Sequence, residues 1–175
     1  MNLLFKYYSV FLLLLLSCSS PAPQVPYNKL EKDQTKENLV EMNREFYLIE
    51  DSLIQVYVDS SKIDFTTSKS GMRYYIEEEG FGESVKSTDN VTYRYTVSQL
   101  DGEVCEQLKN VVKTSNLERN EMGRGFREAL KMLKPSGNGV FIMPSFLAYG
   151  VVGVPNCIPA WTPVRCDITL IQIEK

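Results

Sequence analysis

Ile142-Met143-Pro144-Ser145-Phe146-Leu147-Ala148-Tyr149-Gly150 is the stretch on which the reading of this chain turns. An apolar run from Val140 to Met143 stops at a proline, and a short mixed step then sets a tyrosine directly before a glycine. The run reads as a buried strand. Pro144 removes a ladder donor and closes it, and Gly150 permits a turn where a side chain would not fit. Tyr149, a ring with a hydroxyl at its tip, sits on a constrained loop; it is either simply packed or one wall of a pocket. Gly153, Pro155, Pro159 and Pro163 stiffen the chain beyond it, up to a last strand from Val164 to Ile173.

Outward from that stretch, 175 residues allow one modest domain with appendages. A 43% hydrophobic content and a net charge of -3 are ordinary for a globular protein. Without a basic excess, nucleic acid is excluded as the natural partner. The chain has no histidine, which removes the commonest general base, metal ligand and pH switch together. Of the four cysteines, Cys105, Cys157 and Cys166 lack close-pair spacing and a fourth evident ligand, which argues against a zinc site. No cofactor motif is present.

At the start, Lys6 precedes an apolar run from Val10 to Leu16. That is far short of the about 20 residues a membrane span needs, so it reads as a cleaved signal, residues 1–17. Residues 18–36, with three prolines between Ser19 and Asn28, read as a tether. Leu39, Met42, Phe46, Ile49, Leu53 and Val56 then recur at spacings of three and four, predicting an amphipathic helix over residues 37–60. Its narrow apolar stripe either packs on its own domain or forms a seam with a second copy. Asp59 to Ser70 reads as a polar linker, and the sheet begins at Gly71-Met72-Arg73-Tyr74-Tyr75-Ile76.

Several blocks together resemble a known family. Phe141-Ile142-Met143-Pro144 with Leu147-Ala148-Tyr149-Gly150 resembles the "I-P…A-Y-G" signature of FKBP-type peptidyl-prolyl isomerases. Val91-Thr92-Tyr93-Arg94-Tyr95 before Asp101-Gly102 resembles the early strand of that family, and Gly125 to Lys134 resembles its "G-W-x-E-A-L-x-x-M" helix. Ile158-Pro159 and the alternation Cys166, Ile168, Leu170, Ile173 resemble its rim loop and closing strand. The resemblance implies an α+β fold over residues 71–175: an antiparallel sheet wrapped around one short helix, preceded here by the N-terminal amphipathic helix. The order of helix, entry motif and domain resembles the gliding-motility-associated lipoprotein isomerases of the Bacteroidetes. Surface-anchored members of the family pair through N-terminal helices, which supports a homodimer through residues 37–60. Leu15-Leu16-Ser17-Cys18 resembles the lipobox of bacterial lipoproteins, making Cys18 an acylated first mature residue; the alternative is an ordinary secretory signal. Ser19, with no acidic cluster after it, resembles the pattern for the outer membrane facing the periplasm.

By position, the resemblance assigns Tyr95, Phe126, Tyr149 and Ile158 to the pocket, with Phe126 in place of a floor tryptophan and the Tyr149 hydroxyl on a substrate carbonyl. Met122 and Gly123 fall ahead of the helix, where a backbone N–H meets the ligand. Glu103-Val104-Cys105-Glu106-Gln107 stands where the family has a phenylalanine and an aspartate. Cys105 thus replaces an aromatic, and Glu106 keeps a carboxylate at longer reach. Cys166 also replaces a phenylalanine, Cys157 an apolar rim residue, and Val154 a common histidine. Cys105 and Cys166 would then face one pocket; they form a disulfide, or all three cysteines are buried thiols. Lys109 to Asn120 either overhangs the pocket or is a solvated loop. The implied substrates are proline-containing unfolded or exported polypeptides. The two functions left open are an isomerase that assists folding in the envelope and a non-catalytic client-binding module.

Overall fold

The computed structural model describes residues 27–107, 112–114, 116–119 and 123–174, so the signal, Cys18 and the first part of the tether lie outside the described residues. Helix α1 spans Tyr27–Ser60, beginning ten residues before the expected start at residue 37. No glycine or proline interrupts the chain from Tyr27 to Ser60, so nothing in the latter part of the expected tether stops a helix. Two compact units result, Met1–Glu41 and Met42–Lys175; the site lies in the second.

Strands β1 (Thr66–Thr67), β2 (Arg73–Glu78), β3 (Asn90–Gln99), β4 (Val104–Gln107), β5 (Val112–Thr114), β6 (Asn138–Met143) and β7 (Val164–Glu174) form one antiparallel sheet. Its order is β1-β2-β6-β7-β3-β4, with β5 also on β3. Helix α2, Gly123–Lys131, lies between β5 and β6 in the chain. The inner face carries Tyr93, Tyr95 and Val97 of β3, Phe141 and Met143 of β6, and Cys166, Ile168 and Leu170 of β7. All of these are buried with Phe126, Ala129, Leu130 and Leu133 in one core. The alternation from Val164 to Leu170 on β7 follows from this, since every second side chain there meets the core.

Strand β6 shows why its sequence is apolar without alternation. Phe141 and Met143 enter the main core, while Val140 and Ile142 form a second cluster with Ile54 of α1, flanked by Tyr57, Val58 and Phe65. Both faces are covered, so both must be apolar. The helix therefore packs on its own domain, but through Ile54, Tyr57 and Val58 and not through the expected stripe. Leu39, Met42, Ile49, Leu53 and Val56 remain exposed, and within the stripe only Phe46 finds a ring partner, stacking on Trp161. Polar contacts fix the same docked face: Arg73 donates to Asp51 at 2.6 Å, and Arg165, held by Asp167 at 2.7 Å, donates to the Tyr57 hydroxyl at 3.0 Å.

Two expected loops hold structure. Thr66–Thr67, inside the expected linker, pairs with Tyr74 and Arg73. Within Lys109 to Asn120, β5 pairs with β3, and Leu117 on the 3-10 turn Leu117–Arg119 is fully buried. A fully buried leucine rules out a purely solvated loop there.

Candidate functional site

Three elements deliver an aromatic file from the core to the surface. Residues two apart on β3 share a face, so Tyr93 and Tyr95 lie side by side with ring centroids 6.0 Å apart. Phe126 on α2 meets Tyr95 edge-on at 5.3 Å, and Tyr149 meets Phe126 edge-on at 6.4 Å. Tyr95 and Phe126 are buried and Tyr149 is half-buried. Edge-to-face geometry at these separations is the favoured arrangement of aromatic quadrupoles.

Small residues let the parts come this close. A Cβ on Gly125 would stand 2.7 Å from the Leu147 carbonyl oxygen and the Met143 sulfur, so only glycine allows α2 to press on the loop below Tyr149. Gly123 opens α2 at φ +84°, a left-handed conformation that glycine adopts readily. The loop is closed on itself. A 3-10 turn, Ser145–Leu147, follows Pro144, and the Ser145 carbonyl accepts from the N–H groups of Ala148 at 2.9 Å and Gly150 at 2.7 Å. Gly153 N–H donates to the Tyr149 carbonyl at 3.1 Å, and Trp161 N–H to the Gly150 carbonyl at 3.1 Å. Beyond it, Val154 and Ile158 exchange backbone hydrogen bonds of 2.8 and 2.9 Å, which sets Ile158 into the core at 2% exposure.

The other assigned positions converge on the same place. Cys105, Val154 and Cys157 pack half-buried against the cluster that contains Tyr95, Phe126, Ile158 and Cys166. Met122 and the Glu106 side chain lie outside the described residues. Neither reading of the cysteines holds, a Cys105–Cys166 bridge or three buried thiols: Cys105 pairs with Cys157, their Cα atoms 5.3 Å apart, and Cys166 is a buried thiol outside the bridge. Strand order gives the reason. Val97 of β3 is the register partner of Cys166 on β7 and of Glu106 on β4. A cysteine on β4 is therefore two strand spacings, about 9.5 Å, from Cys166, beyond the span of a disulfide. The register with β3 shifts between Val97 and Ser98, leaving Cys105 as the extra residue of a bulge, and bulges re-aim side chains. The rim loop then brings Cys157 to it, with Gln99 donating from its amide to the Cys157 carbonyl at 2.9 Å.

The site is built of aromatic rings, Ile158 and the Cys105–Cys157 bridge, and no group of three or more metal-ligating side chains occurs among the described residues. Among the described residues the one buried carboxylate is Glu50 of α1, whose Oε2 accepts from the Ser145 N–H at 3.3 Å. Burial pushes the Glu50 carboxyl above the usual range, against the opposing effect of the Ser145 N–H. Sequence reasoning missed Glu50, because a glutamate in a charged helix reads as solvated. It also missed Trp161, although a lone tryptophan in a proline-rich loop was a signal.

This arrangement has known counterparts. Residues 82–171, just over half of the chain, match the model of the FKBP-type peptidyl-prolyl cis-trans isomerases. The chain belongs to that family. Among curated relatives it is 28% identical over 111 residues to a probable FKBP-type peptidyl-prolyl cis-trans isomerase of Haemophilus influenzae, covering 63% of this chain and 46% of the relative. It is 27% identical over 117 residues to the outer membrane protein MIP of Legionella longbeachae, covering 67% and 50%. The crystal structure of FkpA from Escherichia coli superposes with a TM-score of 0.62 at 23% identity, over 86% of this chain and 74% of that one. The match spans about half the length of these curated relatives. The FKBP fold is thus established, and the aromatic file lies inside the family region.

Proposed function

We propose that this FKBP-family chain is a peptidyl-prolyl cis-trans isomerase that assists the folding of exported polypeptides in the cell envelope. The observation that carries the reading is the file Tyr95–Phe126–Tyr149, buried at its base and ending in a half-buried tyrosine on a braced loop. An X-Pro amide resists rotation by about 18–20 kcal/mol because resonance makes its C–N bond partly double. Lowering that barrier needs neither nucleophile nor metal. An apolar wall strips water from the planar, more polar amide, and a shape fitted to the twisted form binds it preferentially. Each ~1.4 kcal/mol of such preference is worth about tenfold in rate. In this reading Tyr95, Phe126 and Ile158 supply the wall and the Tyr149 hydroxyl a donor to a substrate carbonyl. Gly123 supplies a backbone N–H, and Met122, Val154 and Glu106 complete the margin.

Envelope placement draws on the signal-like N-terminus, the FkpA and MIP relatives, and the Cys105–Cys157 disulfide, which persists in oxidising compartments. Acylation of Cys18 would hold the chain at the outer membrane, facing the periplasm, since several acyl chains give stable anchoring. A homodimer through α1 draws on the apolar residues its docked face leaves exposed, Met42, Ile49, Leu53 and Val56, spaced as a coiled-coil seam.

One observation favours a non-catalytic client-binding module instead. A disulfide stands at Cys105, where the family resemblance implies an aromatic side chain, and ties that position to Cys157 on the rim loop. Isomerisation of a tetrapeptide and refolding of a proline-limited protein separate the two. Acceleration of either supports the isomerase; acceleration of neither by a folded sample leaves the binding module.

A further inference from the structure

Beside the loop that carries Tyr149 lies a cavity of about 560 Å³ for which proline isomerisation has no use. Its walls are aromatic: Tyr47 from α1, Phe146 from the 3-10 turn, and Trp161 from the segment before β7. Tyr47 and Phe146 have centroids 6.0 Å apart, and both rings are exposed. Trp161 is held in place by stacking on Phe46, with centroids at 4.8 Å and planes within 6° of parallel. Glu50 also lines the cavity, yet it is only 3% exposed. Its Oε2 takes the Ser145 N–H, and its Oε1 is buried without a partner.

These features select the same kind of ligand. Aromatic faces present negative potential and attract ammonium and guanidinium groups. A carboxylate taken out of water is unfavourable until a cation or a donor meets it. The arginines that brace this side of the sheet are committed elsewhere, Arg73 to Asp51 and Arg165 to Asp167 and Tyr57. The cavity is also built by the site's own loop. Phe146 and Gly150 flank Tyr149 closely in sequence, and the Gly150 carbonyl holds the Trp161 N–H.

We propose that this cavity is a subsite for a basic side chain, lysine or arginine, of the polypeptide whose proline lies at Tyr149. The subsite rests on the isomerase reading for its occupant, but not for its chemistry. A free organic cation shares that chemistry and is the alternative source. Bound basic residues would then make proline sites in positively charged stretches the preferred clients.

Trp161 is the sole tryptophan, so its fluorescence reports occupancy directly. The full chain is titrated with proline peptides carrying lysine at either of the two positions on each side of the proline. Each is compared with its norleucine counterpart, and N-acetyl-lysine amide serves as the free cation. The expected result is about fivefold tighter binding for at least one lysine peptide, the scale of a partly desolvated cation–π contact, with the free cation much weaker. Glu50→Gln and Phe146→Ala should each bring the lysine-to-norleucine ratio towards one while the neutral peptide's isomerisation rate stays unchanged. Phe146 is half exposed, so its variant keeps the test open if Glu50→Gln folds poorly. A ratio of one at every position in the native chain overturns the subsite, whatever the rates. Equal affinity for the free cation overturns its assignment to the client polypeptide. Lysine discrimination without isomerisation of any peptide leaves the subsite standing and removes the isomerase reading.

Discussion

The Cys105–Cys157 bridge spans 52 residues, a stretch that contains β5, α2 and β6 and hence Phe126 and the approach to Tyr149. Cross-linking the unfolded chain over that length removes about 14 cal/mol/K of loop entropy, or about 4 kcal/mol at 25 °C. Replacing both residues with serine is therefore expected to lower stability by about 4 kcal/mol, a large part of what a domain of this size possesses. With a urea dependence near 2 kcal/mol per M, the unfolding midpoint falls by about 2 M. The assay is urea denaturation of the oxidised chain against Cys105→Ser/Cys157→Ser, followed by circular dichroism. It is accompanied by intact mass with and without a dithiol reductant. The oxidised chain should be two hydrogens lighter, and Cys166→Ser should keep that difference because Cys166 is buried and unbridged. An unchanged midpoint in the double variant, or loss of the mass difference in Cys166→Ser, would refute the pairing and the strand-order argument behind it.

Further outcomes follow from the helix and its buried carboxylate. Ile54 is fully buried against Val140 and Ile142, so Ile54→Ala should cost about 2–5 kcal/mol in urea denaturation; a loss below about 0.5 kcal/mol would mean that α1 is not docked on the sheet. Leu53 is 53% exposed on the unpartnered stripe, so Leu53→Glu should convert a dimer to a folded monomer by sedimentation velocity; a monomeric native chain at every concentration contradicts the seam. Glu50 has its carboxyl raised by burial, so the native state keeps a proton that the unfolded chain has already released. Stability should then fall as pH rises above about 4, the ordinary carboxylate value, and Glu50→Gln should lack that component. A native-minus-variant stability difference that is flat with pH contradicts this.

Much of the fold was legible because its signals are local. The run Val140–Met143 reads as a buried strand since both its faces are covered, and β7 alternates because only one face meets the main core. Pro144 and Gly150 mark the loop whose closure the hydrogen bonds of Ser145 then complete. The early start of α1 was hidden by the prolines just before it. The docked face of α1 was hidden by a stronger pattern beside it, because a single buried isoleucine among Asp51, Tyr57 and Val58 makes no visible stripe. Cysteine pairing depends on which strand lies between two others, and no spacing along the chain encodes that order. Tyr95, Phe126 and Tyr149 were grouped by the family resemblance, and their rings lie in contact. Glu50, Phe146 and Trp161 were not, because they come together only when α1 folds back beside the loop.

The measurement closest to the central claim is kcat/KM for isomerisation of an X-Pro tetrapeptide by the native chain and by Tyr149→Phe, with unfolding midpoints recorded for both. Removing one hydroxyl hydrogen bond of about 0.5–1.5 kcal/mol predicts a loss of about twofold to tenfold in the variant at an unchanged midpoint. A folded native chain that does not exceed the uncatalysed rate, or a variant equal to it, would contradict an isomerase site ending at Tyr149.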